Sequence, residues 1–140
     1  MKVLFLCAGN VFRSQMAEDF FNRLNKNTKN KAESAGLLHQ REKVHNHTIR
    51  AMKEKYVDFT GSKPRKVTSD LIEFADKIIL MHSNLKEHLL LIKNKDVEVW
   101  NIEDVFASED DENKYSDFVK TRDIIEEKVK ELLKRLNNKD

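Results

Sequence analysis

Short, wholly apolar runs alternate along the chain with longer stretches whose apolar residues recur every three or four positions. Residues 2–6, containing Val3, Leu4, Phe5 and Leu6, form the first such run. A continuous apolar run marks a strand buried on both faces of a parallel sheet. Residues 14–25 then place Met16, Ala17, Phe20, Phe21 and Leu24 at helical spacing. Glu18 and Asp19 fall in the early turns of that helix, where negative charge suits the helix dipole. Residues 25–31 read as a polar connector and 31–36 as a second short strand ending at Gly36. A loop over 37–44 leads to a helix over 46–56 that turns Ile49, Met52 and Tyr56 inward. Gly61 and Pro64 punctuate a loop over 58–66, and Thr68 opens a short helix through Phe74. Residues 77–81 are a third apolar strand, 83–93 a helix, 94–96 a turn and 97–102 a fourth strand. An acidic loop over 103–112 precedes a last helix over about 115–136, with Phe118, Ile125, Val129, Leu132, Leu133 and Leu136 on one stripe that reads as core packing.

Strands alternating with helices predict an α/β fold: a four-stranded parallel sheet, order 2-1-3-4, flanked by helices on both faces. At 140 residues and 16.5 kDa, a single domain over residues 1–140 is expected. Hydrophobic residues make up 39% and charged residues 36%, a charge-rich but globular balance. A net charge of +2 gives no reason to expect a nucleic-acid partner. No apolar run reaches the length of a membrane span, so no membrane partner is expected. The N-terminus is faintly like a signal peptide, but Asn10, Arg13 and Ser14 interrupt it. With a single cysteine no internal disulfide can form, which fits a reducing compartment and a cytoplasmic location.

That cysteine follows the first strand directly. A lone cysteine after an apolar strand is ordinarily core, but the sequence around Cys7 argues otherwise. Arg13 and Ser14 close a tight polar loop six residues on, where the next helix starts. Strand, short loop and helix start bring backbone N–H groups together as an anion cradle. Those amides, the helix N-terminus and Arg13 all favour a thiolate. Arg13 suits bidentate binding of two phosphoryl oxygens. Gly9 lets the backbone turn close to an anion, and Asn10 is suited to a left-handed conformation that locks the loop. A leaving alkoxide or phenoxide needs a proton. Asp104, past the fourth strand, opens on the same sheet edge as Cys7, with Glu103, Asp110 and Asp111 as nearby alternatives.

The run Cys7-Ala8-Gly9-Asn10-Val11-Phe12-Arg13-Ser14 resembles the C-x-G-N-x-x-R-S signature loop of the low-molecular-weight protein tyrosine phosphatases. Thioredoxin-coupled arsenate reductases share that fold, and Gln15-Met16-Ala17-Glu18 leans towards them. The resemblance extends over nearly the whole chain: Ser34-Ala35-Gly36 after strand two, Arg65 to Thr68, and Trp100 to Asp104, the run that carries the acid. It implies Cys7 as nucleophile, Arg13 as phosphate ligand and Asp104 as general acid and then base. It further implies residues 8–14 (Ala8, Gly9, Asn10, Val11, Phe12, Arg13, Ser14) as the phosphate-binding loop, with Asn10, Ser14 and Ser34 supporting it. Val11 and Phe106 would line the substrate slot; Val11 is an aliphatic residue where arginine phosphatases of this fold tend to carry threonine. The implied reaction hydrolyses an aryl phosphate or a phosphotyrosine protein, releases inorganic phosphate, and needs no metal or cofactor.

Several positions depart from the family pattern. Val105 stands where proline usually follows the acid, and Phe106-Ala107 supplies one aromatic where a tyrosine pair is common. The histidine often found near Ser62 is missing, and Met81-His82 replaces a usual Met-Asp. Phe12 occupies a position that often holds a second cysteine, which leaves Cys7 open to over-oxidation. Arsenate reductases of the thioredoxin type need two further cysteines, so the alternative activity is arsenate reduction with an external small thiol. A non-catalytic phosphate sensor is the third reading. The five histidines lack ligand spacing, His45 and His47 are expected at the surface, and the role of His82 is left open. Residues 39–66 carry eight basic residues against three acidic, and residues 103–112 carry six acids, so a basic rim attracting acidic phosphopeptides is one expectation.

Overall fold

The computed structural model describes residues 1–38, 42–89, 94–105 and 111–138. Its strands are β1 (Lys2–Cys7), β2 (Lys31–Gly36), β3 (Lys77–Leu80) and β4 (Asp96–Val99), and its helices α1 (Arg13–Leu24), α2 (Asn46–Lys53), α3 (Ser69–Phe74) and α4 (Tyr115–Asn137). They form a four-stranded sheet in the order β2-β1-β3-β4, parallel throughout, as the alternation of elements predicts.

The apolar run of β1 is buried because it lies at the middle of this sheet. Val3, Phe5 and Cys7 pack with α1 and α4 residues such as Phe20, Phe21, Ile125 and Val129 on one face. Leu4 and Leu6 pack with Ile78, Leu80, Ala75 and Leu85 on the other. Burying one such side chain contributes on the order of 1.5–3 kcal/mol, so β1 anchors both layers. Thr68 caps α3, its hydroxyl accepting from the Leu71 amide at 3.2 Å.

Three expectations are corrected. Helix α2 ends at Lys53, and Tyr56, expected inward, is 98% exposed. The amides of Tyr56 and Val57 turn back to the carbonyls of Lys53 and Met52 (2.9 and 3.1 Å), a Schellman ending with Tyr56 in the left-handed position at φ 64°. That geometry throws Tyr56 outward. The helix expected over 83–93 is a 3₁₀ helix, Ser83–Leu89, and 90–93 lie outside the described residues. The fourth strand stops at Val99 rather than 102, because Asn101 adopts φ 53°. Its neighbours still bond to the sheet edge: Trp100 N–H to the Leu80 carbonyl at 2.9 Å and Ile102 N–H to that of Met81 at 2.6 Å.

Strand β4 is tied to α4 by charge. Both nitrogens of the Arg135 fork reach Glu98 at 2.9 Å, and the Trp100 indole donates to the same carboxylate at 2.7 Å. Arg135, with smaller help from Trp100 and Lys77, holds the Glu98 carboxyl down at about 2. A depressed carboxyl contributes stability that is present above its unfolded value and lost as pH falls towards the folded one. Glu98→Gln is therefore expected to lower stability by about 1 kcal/mol at neutral pH, a figure discounted for partial solvation. The mutant's acid unfolding, followed by Trp100 fluorescence, should lack the part of the pH dependence that Glu98 is expected to give the wild type between 4.5 and about 2.

Candidate active site

The loop between β1 and α1 is built around one amide side chain. Asn10 sits at φ 58°, a conformation asparagine tolerates better than most residues. The Asn10 Nδ2 donates to Ser14 Oγ at 2.7 Å and to Ser34 Oγ at 3.0 Å. Its Oδ1 accepts from the Arg65 amide at 2.8 Å and from Gln15 Nε2 at 3.2 Å. Both donors and both acceptors are used, with the side chain wholly buried.

This arrangement orients groups onto Cys7. The Asn10 amide donates to Cys7 Sγ at 3.2 Å, and Ser14 Oγ lies 2.8 Å from the same sulfur. Because Ser14 Oγ already accepts from Asn10, its own proton is free for the sulfur. Cys7 is 3% exposed. Among the described residues, the amides of Gly9, Val11 and Phe12 have no acceptor in the protein.

Arg13, also buried, donates from one terminal nitrogen to the Ile102 carbonyl at 2.8 Å. Its other terminal nitrogen lies 3.7 Å from Asp104 Oδ2. The kink at Asn101 thus delivers Ile102 and Asp104 to the loop across the sheet edge. A cleft of about 520 Å³ opens there, lined by Ala8, Gly9, Val11 and Arg13 of the loop, and by Asp104 and His82 opposite. Glu103 also lines it but bonds His82 Nε2 at 3.2 Å rather than approaching Arg13. Of the acids weighed from sequence, Asp104 is the one paired with Arg13; Asp110 lies outside the described residues.

The loop's backbone is held from below and behind. Leu37 and Leu38 amides bond the carbonyls of Cys7 and Ala8 at 2.8 and 3.0 Å. Gly36 lies against the loop so closely that a Cβ there would meet Ala8 O and Gly9 C at 3.0 Å. Phe12 turns its ring inward onto Phe118 of α4, centroids 4.4 Å apart, so only its backbone belongs to the loop surface. The His45 amide bonds the Val11 carbonyl at 3.2 Å. His47, expected at the surface, is 2% exposed, its Nε2 2.8 Å from the Asp111 carbonyl, because Phe118 and Tyr115 pack around it.

Ser34 connects the loop to a half-buried carboxyl. Burial pushes the Glu18 carboxyl up, partly offset by Arg65 and by hydrogen bonds from Ser34. Arg65 spans Glu18 and Glu33 at 3.0 and 2.6 Å. Sequence reasoning brings Cys7, Asn10, Arg13, Ser14, Ser34 and Asp104 into consideration, and all meet here. Phe106, the expected slot wall, lies outside the described residues. Sequence reasoning misses Gln15, the Arg65 amide, the Ile102 carbonyl and the tight fit of Gly36. The Gly36 position had a signal in its place after the Ser34-Ala35 pair; backbone donors and acceptors have none.

Gly36→Ala should destabilise the fold by about 1–3 kcal/mol, because loop backbone must move to admit the methyl group. Gly61→Ala, with nothing within 4 Å of the added carbon, is the control and should be near neutral. Urea denaturation of the two variants checks the difference.

Residues 2–140 match the family described as low molecular weight phosphotyrosine protein phosphatase. The chain is 30% identical to arsenate reductase 1 of Staphylococcus epidermidis, over 96% of each protein. The YwlE arginine phosphatase from Geobacillus stearothermophilus superposes with a TM-score of 0.85, covering 99% of this chain and 94% of that one; at 20% identity this likeness speaks for the fold alone. The arsenate reductase from Archaeoglobus fulgidus is 33% identical with a TM-score of 0.72, covering 94% of this chain and 98% of that one. On the strength of the family match across nearly its whole length, the chain belongs to the low molecular weight phosphotyrosine protein phosphatase family.

Proposed function

We propose that the protein is a tyrosine phosphatase that hydrolyses aryl phosphate monoesters, with a phosphotyrosine-containing protein as substrate and inorganic phosphate as product. The observation that carries this reading is the pair of donors on one sulfur, the Asn10 amide and the Ser14 hydroxyl, next to an arginine shared with Asp104. Both groups can donate to the sulfur as it attacks phosphorus and as it later leaves.

In the first step the Cys7 thiolate attacks phosphorus, an S–P bond forms and the P–O bond to the leaving group breaks. Arg13 and the amides of Gly9, Val11 and Phe12 hold the equatorial oxygens, where transition-state charge is spread. Asp104 gives its proton to the departing oxygen. In the second step Asp104 takes a proton from water, the water oxygen bonds to phosphorus, and the S–P bond breaks. The Ser14 hydroxyl stabilises the thiolate as it leaves. Val11 lines the slot, and Phe106 is assigned the facing wall on the family resemblance.

A second reading is favoured by the Staphylococcus epidermidis relative, which is named an arsenate reductase. With one cysteine in the chain, no relay of internal thiols exists. Two external thiols would have to become a disulfide as arsenic passes from the +5 to the +3 state.

Wild type, Cys7→Ser and Asp104→Asn should be compared on p-nitrophenyl phosphate and on arsenate with glutathione. Hydrolysis near pH 5–7 is expected in the wild type, with none in Cys7→Ser and a fall of about 10²–10⁴ in kcat for Asp104→Asn. Arsenate-dependent thiol consumption without phosphate release would establish the second reading. Oxyanion binding without either turnover would make the protein a sensor and end the hydrolase reading.

A further inference from the structure

Among the described residues, the opening of the cleft carries more acidic than basic side chains. Glu87, Glu103 and Asp104 line it, and Arg13 is the one lysine or arginine among its described lining residues. That guanidinium is already engaged with the Ile102 carbonyl and Asp104. Two histidines also line the cleft: His82, whose Nδ1 accepts from the Asn84 amide at 3.2 Å and whose Nε2 lies 3.2 Å from Glu103, and His88, whose Nε2 lies 3.7 Å from Glu87. These acids are not a separate site; they are the wall of the cleft whose base is the Cys7–Ser14 loop.

The described basic residues of 42–66 do not line the cleft as the rim that the sequence suggests; Arg41 lies outside the described residues. Arg50 is bonded to Glu112 at 2.6 Å, Lys55 to Glu126 at 3.0 Å, and Arg65 to Glu18 and Glu33. Among the described residues none of them lines the cleft. A phosphate dianion seated on the loop would occupy Arg13 and leave the carboxylates facing whatever flanks the phosphorylated side chain. Low-dielectric walls of one sign raise the local concentration of the opposite charge. Glu87 and Glu103 are largely exposed, with side chains 79% and 86% accessible, and each sits beside a histidine, His88 Nε2 at 3.7 Å and His82 Nε2 at 3.2 Å, so that they face flanking groups rather than the phosphate.

We infer that this cleft selects phosphorylated peptides with basic residues beside the phosphorylated side chain, and disfavours acidic ones. The inference rests on the phosphatase reading for its substrate and on the cleft geometry for its sign. Two phosphotyrosine peptides of equal length, one flanked by lysine and arginine and the other by glutamate and aspartate, test it. Each kcat/KM is referred to p-nitrophenyl phosphate turnover by the same variant, and the affinity of Cys7→Ser for both peptides is measured by fluorescence anisotropy.

The basic peptide should be preferred by about tenfold or more at low ionic strength. The preference should shrink towards unity at about 0.5 M salt, where screening acts within a few ångströms. It should also fall severalfold in Glu87→Gln/Glu103→Gln. Equal or reversed ratios, in turnover and in Cys7→Ser affinity alike, would overturn the inference. If the wild type fails on p-nitrophenyl phosphate, the phosphatase reading falls, and the anisotropy ratio still decides whether the rim selects basic flanks.

Discussion

The site depends on the four hydrogen bonds of the Asn10 amide. One side chain ties together the loop itself through Ser14, strand β2 through Ser34, helix α1 through Gln15 and the segment after Pro64 through the Arg65 amide. A buried amide with all its partners in place is stable, while one left with an empty donor or acceptor costs about 1–3 kcal/mol. That asymmetry fixes the loop in one conformation. It also leaves the Ser14 proton available to the Cys7 sulfur, which the sequence motif alone does not specify. The left-handed backbone at Asn10 follows from the same bonds, which offset its intrinsic strain.

A second constraint works from the opposite side of the sheet edge. Asn101 leaves extended geometry at φ 53°, yet Trp100 and Ile102 keep their amide bonds to β3 and the segment past it. The strand is therefore bent without being detached. Its bend turns the Ile102 carbonyl towards Arg13 and sets Asp104 beside the guanidinium. Two asparagines in left-handed conformations, one on each side of the cleft, determine how the charged groups face each other.

Much of this was legible in the sequence where the physics is local or periodic. The apolar run of residues 3–6, the helical stripe from Phe118 to Leu136 and the capping Thr68 each dictate their element, because burial or a cap decides them without reference to distant parts. The motif around Cys7 points to the loop for the same reason. What escaped was set by tertiary contact. Tyr56 reads as a core position by spacing, and only the end of α2 at Lys53 sends it outward. His47 reads as surface by its polar neighbours, and only Phe118 and Tyr115 bury it. Gln15 was read only as part of the run Gln15-Met16-Ala17-Glu18; its bonding role exists because Asn10 and the Lys63 carbonyl lie within its reach.

The Cys7–Ser14 loop lies near the start of the chain, but its supports are spread along the rest. Asn10 bonds across 24 residues to Ser34 and across 55 to Arg65, and Arg13 bonds across 89 to Ile102. During synthesis the sulfur therefore leaves the ribosome long before the groups that position its neighbours. Each such contact carries a loop-closure entropy that must be met before it forms. The site is therefore complete only when β2, the segment after Pro64 and the segment after β4 have all docked, with α4 packed on the loop through Phe12 and Phe118. A nascent or truncated chain holds the thiol without its cradle, so whatever chemistry the loop performs is withheld until the whole sheet is in place.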